Sequence, residues 1–304
     1  MSARKPLTLL AVPAILSLVA PACAQSAPPV GPVSVVGVAP RAAPSYADFA
    51  DLVVASPLII DATIRSATRI KGAEAAGVAA GSARFYVEGD VGTLVRGTGA
   101  IPARIGWLVD VPLDPRGRAP AVKKQRVLAF ARPVANRPDQ VQLIAKDAQR
   151  AWSPAADALA RRIAAEAASA DAPPVVTGVK SAFYVPGSLP GEGETQIFLL
   201  TRNDRPAALS VLRRPGEQPR WSIALSEVID ENATAPARDT LLWYRLACFL
   251  PRTLPDNATA ALEESEAAHA REDYAFVVQQ LGPCRGDAAG PVGAGTISGG
   301  GVSG

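Results

Sequence analysis

Apolar residues recur at every second position in three separate runs of this chain, a period that suits half-buried β-strands and little else. Leu58, Ile60, Ala62 and Ile64 alternate with Asp61, Thr63 and Arg65, while Phe85, Val87 and Val91 alternate with Tyr86, Glu88 and Asp90. Ile105, Trp107, Val109 and Val111 repeat the pattern, and Val127 to Ala131 and Val141 to Ile144 add two shorter runs. Turn-forming stretches, Asp114 to Gly117 and Ala135 to Asp139, separate them. Ser45 can cap a short helix that places Tyr46, Phe49 and Val53 on one face and stops at Pro57. Five strands after a short helix fit a small closed or partly closed barrel, which escapes the exposed edges of an open sheet.

A different pattern follows. Pro154 to Ala168 reads as a connecting helix, and Asp171-Ala172-Pro173-Pro174 as a domain boundary. Val175 to Val185, Thr195 to Thr201, Ala207 to Arg214 and Arg220 to Glu227 are extended runs joined by short turns, which predicts an antiparallel meander. Asp239 to Leu250 and Ala258 to Leu281 carry apolar residues at helical spacing. The expected fold is α+β. Its parts are a signal peptide over 1–24, a flexible lead over 25–44, an OB-like five-stranded barrel over 45–150 and a connecting helix and linker over 151–172. A meander packed with a helical hairpin over 173–285 and a disordered Gly-rich tail over 286–304 complete it.

The succession from Leu58 to Ile64, Arg84-Phe85-Tyr86-Val87-Glu88 to Gly97, and Gln125 to Phe130 resembles secreted netrin-type and TIMP-type OB barrels over about a third of the chain. The resemblance implies architecture alone, because the cysteines that pin those barrels have no counterpart in this region. The whole chain also resembles uncharacterised secreted proteins of alphaproteobacteria, which implies no activity.

Export is predicted by the N-terminus. Arg4 and Lys5, the apolar run Leu7 to Ala20 and the small residues Ala22-Cys23-Ala24 before Gln25 form the three parts of a secretory signal peptide. The apolar run is too short and too interrupted by Pro13 and Pro21 to span a membrane. Lipidation at Cys23 is the alternative to cleavage after Ala24. Either route leads to the bacterial envelope, periplasmic or secreted, with no transmembrane segment in the mature chain. There Cys248 and Cys284 are the remaining thiols, and an antiparallel helix pair would bring them together as a disulfide.

Catalytic chemistry is thinly represented. His269 is the sole histidine and sits among Glu263, Glu264 and Glu266, as a solvated surface residue would. No CxxC pair, phosphate loop or G-x-S-x-G elbow occurs, and no cofactor or metal is implied. A net charge of +3 spread over scattered arginines gives no nucleic-acid footprint. The residues therefore point to a non-catalytic binding protein whose partner is an envelope protein or anionic envelope ligand. Arg213, Arg214 and Arg220 around one hairpin turn are the candidate anion contacts. The alternative is an envelope glycan hydrolase using the paired carboxylates Glu88 and Asp90. If cleavage follows Ala24, protein recovered from the periplasm or medium begins at Gln25 by N-terminal mass spectrometry; a lipid-modified Cys23 at the N-terminus would refute that site.

Overall fold

A computed structural model describes residues 45–226 and 233–285. The expected signal segment with Cys23, the lead and the Gly-rich tail lie outside the described residues. Helix α1 (Tyr46–Ala55) starts where the sequence places it: the Ser45 hydroxyl accepts from the Asp48 N–H, and the Asp48 carboxylate accepts in return from the Ser45 N–H.

The strands that follow are β1 (Leu58–Arg69), β2 (Ser82–Arg96), β3 (Arg104–Pro112), β4 (Arg126–Val134) and β5 (Arg137–Leu143). They run in the order β1-β2-β3-β5-β4, and β4 pairs back onto β1, so the sheet closes into a five-stranded barrel. All neighbours are antiparallel except β3 and β5, which makes the barrel mixed. A short β6 (Gln149–Ala151) shares one edge of β4 with β5. Trp107 fills the interior, 1% exposed, and donates its indole N–H to Gln149 Oε1 at 2.9 Å. Gly89 makes room for it, since a Cβ there would come within 2.7 Å of the ring. Phe49 of α1 meets Phe130 of β4 edge-on, which seats the helix on the barrel.

Two details depart from the simple alternation. Asp61, expected to face outward, is only 2% exposed. It keeps the parity of Thr63, which pairs with Arg126 in an unbroken β1–β4 register, so it is covered on the outer face of the barrel. The buried carboxylate is held by Arg126, whose Nε and Nη2 donate at 2.9 and 2.6 Å while its guanidinium lies 3.6 Å over the Trp152 ring. The turn expected over Ala135 to Asp139 is also shorter. Asn136 takes a left-handed φ of 59°, and β5 begins at Arg137.

Helix α2 (Pro154–Ala168), capped by Ser153, leads to an antiparallel meander of β7 (Val176–Pro186), β8 (Gly193–Thr201), β9 (Ala208–Arg213) and β10 (Arg220–Ala224). Helices α3 (Leu241–Ala247) and α4 (Glu264–Leu281) are shorter than their apolar spacing suggests. Pro251 disfavours helical backbone at Leu250, and residues 256–259 form a separate 3-10 turn after Pro255. Cys248, which caps α3, and Cys284, just past α4, are disulfide-bonded with a Cα separation of 5.0 Å.

The neighbouring Arg285 reaches back to α1, donating to Asp48 at 3.1 Å and to Asp51, which also accepts from the Tyr244 hydroxyl. Burial first, then the bond to Asp51, pushes that hydroxyl well above its ordinary pKa. Buried residues of the barrel, the meander and the four α-helices form one continuous hydrophobic core. Closing the loop between Cys248 and Cys284 stabilises the fold by about 4 kcal/mol in the chain-entropy account. The double variant Cys248→Ser/Cys284→Ser should therefore show a clearly lower urea midpoint than the oxidised protein, whereas equal midpoints would contradict that role.

Candidate functional site

The paired carboxylates on β2 are already engaged. Glu88 accepts from the Ser66 hydroxyl at 2.7 Å on one neighbouring strand. Asp90 lies between Arg65 at 3.6 Å and Arg104 at 3.2 Å, with about half of its side chain exposed. Neither residue lines the clefts described below.

The three arginines of the β9–β10 hairpin divide between two faces. Arg213 continues the parity of Leu209 and Val211, so it points under the sheet toward α4. There it binds the fully buried Asp273 at 2.5 Å and the exposed Glu272 at 3.3 Å, and Asp273 also accepts from the Thr195 hydroxyl. Arg213 is thus a structural partner of a buried acid. Arg214 and Arg220 do converge, but on a cleft of only about 50 Å³ that contains Glu217, itself 3.6 Å from Arg220. His269 is exposed, as its acidic surroundings suggest, and stacks on Tyr184 with ring centroids 4.6 Å apart.

A larger cleft, about 580 Å³, opens at the seam between β3 and β5. Gly106 and Gln140 form the one bridged pair of that seam, which closes again where the Asp110 N–H donates to the Lys146 carbonyl at 2.8 Å. Between these points β5 has moved onto β4, pairing Leu143 with Ala131. The walls are apolar: Ile70, Tyr86, Leu108, Val134 and Ile144, with buried Val141 and Leu143 deeper in. Leu108 is half exposed and adds its apolar surface to that of the neighbouring walls. The Tyr86 ring lies flat against Gly106, where a Cβ would meet its hydroxyl at 2.2 Å.

Polar groups stand at the rim of this cleft. Arg84 and Asp110 form a bidentate pair at 2.7 and 2.8 Å, Lys146 donates one hydrogen bond to the Gly77 carbonyl, and Gln140 and Gln142 complete the edge. The bond to Asp110 is the largest cause holding the Arg84 guanidinium above its ordinary pKa. The arrangement can hold an apolar group with hydrogen-bonding substituents, and it contains no unpaired carboxylate for acid-base work. Among the described residues no three His, Cys, Asp or Glu side chains gather as a metal site.

The cleft was missed in the sequence because its residues come from β2, β3, β5 and the following turn. Leu108 was the available signal, an apolar residue at an outward position of an alternating strand. Comparison with protein-family models and with curated proteins finds no match to this chain.

The two roles assigned to the hairpin arginines are separable by stability. Arg213→Ala leaves Asp273 buried without its cation and should cost about 3–5 kcal/mol. Arg214→Ala, at an exposed position, should stay within about 0.5 kcal/mol of the parent by urea unfolding. Equal effects would show that the Asp273 pair is not what anchors α4.

Proposed function

We propose that this chain is an exported envelope protein that binds rather than transforms its ligand, and that it does so in the β3–β5 cleft of the barrel. The observation that carries this reading is the open seam itself: an apolar trough of small-ligand size, walled by the half-exposed Leu108 and the flat Tyr86, with Lys146 and two glutamines at its rim. The ligand class that fits is an amphipathic molecule with an apolar or aromatic group and an anionic substituent placed near Lys146. The Cys248–Cys284 bond supports an oxidising compartment, in keeping with the signal-like N-terminus. The reading as a glycan hydrolase draws no support from geometry, since Glu88 and Asp90 are spent on Ser66, Arg65 and Arg104.

A suitable probe is 1-anilinonaphthalene-8-sulfonate, which joins aromatic rings to a sulfonate. The folded protein should bind it saturably, with fluorescence enhancement. Leu108→Glu, which sets a carboxylate in the trough, should weaken that binding roughly tenfold or more. Phe183→Ser, on the exposed face of the other sheet, should leave it unchanged. Equal binding by the parent and Leu108→Glu, with both folded by circular dichroism, would overturn the assignment.

A further inference from the structure

The outer face of the meander carries a cleft of about 660 Å³, separate from the barrel site. It lies on the side away from α4, because Thr195, which donates to Asp273 of α4, belongs to the opposite parity of β8. Cross-strand register lays out its floor. Gln196, Ser210 and Ser222 stand opposite one another on β8, β9 and β10, and Phe198, Ala208 and Ala224 form the next rung. The small side chains of β9 and β10 leave the hollow, and Phe198 with the half-exposed Leu200 gives it an apolar wall.

A carboxylate stands at one end of this cleft. Glu194 shares the outer face of β8 with Gln196 and is partly buried. Its Oε1 accepts from the Ser210 hydroxyl at 2.9 Å and from the Gln196 amide at 3.1 Å. Both donors are neutral, so they fix the carboxylate without balancing its charge. Glu194 makes no ion pair among the described residues, and its Oε2 accepts no hydrogen bond from them. The carboxylates of the barrel cleft and of the β9–β10 hairpin are matched instead, Asp110 with Arg84 and Glu217 with Arg220.

The cations of the cleft stand at its other end. Lys180 falls beside Phe198 in the β7–β8 register, about 13 Å along the strand from Glu194 at ~3.3 Å per residue. Arg205 lies farther on, in the β8–β9 turn beside the exposed Asp204, and donates to the Ala172 carbonyl at 2.7 Å. The cleft thus runs from an unbalanced acid, across small and apolar side chains, to an end of mixed charge.

We infer that this cleft binds an organic cation, an ammonium group on an apolar body, with the ammonium at Glu194 and the body lying over Ala208 and Ala224 toward Phe198. An ammonium offers three donors and no acceptor, which suits the open Oε2 and the hydroxyl oxygens of the middle rung. Removal of the apolar body from water against the floor supplies affinity. Lys180 and Arg205 set the orientation, since they repel the ammonium from the far end. The ligand is opposite in charge to the one assigned to the barrel cleft, so the two sites do not compete.

The probe is 4-phenylbutylamine, an ammonium at neutral pH, titrated by calorimetry into the disulfide-intact protein, with 4-phenylbutan-1-ol as its neutral counterpart. The parent should bind the amine saturably at one site and roughly tenfold more tightly than the alcohol. Glu194→Gln, which keeps an acceptor for Ser210, should bind the amine no better than the alcohol. Asp204→Asn, at the far end of the cleft and at ease with the left-handed φ of 52°, should bind the amine as the parent does. Ala208→Leu, which fills the floor, should weaken both ligands. The inference fails if the parent does not bind the amine or binds the alcohol as tightly. It fails equally if Glu194→Gln, folded by circular dichroism, keeps the preference for the amine, or if Asp204→Asn is the variant that loses it.

Discussion

Closure of the first sheet is the constraint from which the rest of this structure follows. β1 pairs with β2 on one edge and β4 on the other, so the barrel exposes no edge at its origin, and a ring of only five strands must coil tightly to close. The register shifts in β1 accommodate that coiling. Asp61, on the outer face of β1, is covered and neutralised there by Arg126, backed by Trp152. Inside so narrow a ring one indole is enough to fill much of the space, and Gly89 is the opening that lets Trp107 in. Tight pairing at β1 leaves the far seam as the loose one: β5 departs from β3 after a single bridge, and the cleft beside Leu108 lies in that gap.

The second half of the chain is joined to this barrel by packing and by a covalent anchor. Trp243 donates to the Leu281 carbonyl and meets Tyr46 edge-on, which sets α3 between α1 and the end of α4. The Cys248–Cys284 bond holds the end of α4 beside α3, and so places Arg285 where Asp48 and Asp51 of α1 can accept from it. A loss of the disulfide is therefore felt in α1, the element that carries Phe49 onto the barrel wall.

Charge serves the fold through matched pairs. Covered acids are each matched with an arginine, and such pairs hold elements in register while contributing modestly to net stability, because desolvation offsets much of the attraction.

Much of the fold was legible in the chain because local periodicity and local breakers govern it. Alternation marked β1 to β3, Ser45 and Pro154 marked the starts of α1 and α2, and the turns around Asn203 and Gly216 marked the meander. The two cysteines identified their own bond once export was inferred. The sequence could not order the strands as β1-β2-β3-β5-β4, since pairing across a closed sheet is a long-range choice paid for by the shared core. Nor could it show that Arg213 and Arg214, adjacent in the chain, belong to opposite faces with different partners. Strand alternation sends neighbours apart, and only the packing of α4 beneath the sheet places Asp273 within reach of one of them. Local residue patterns thus determined what the elements are. Tertiary structure decided which side chains meet, because the seam cleft draws residues from strands and turns far apart in the chain.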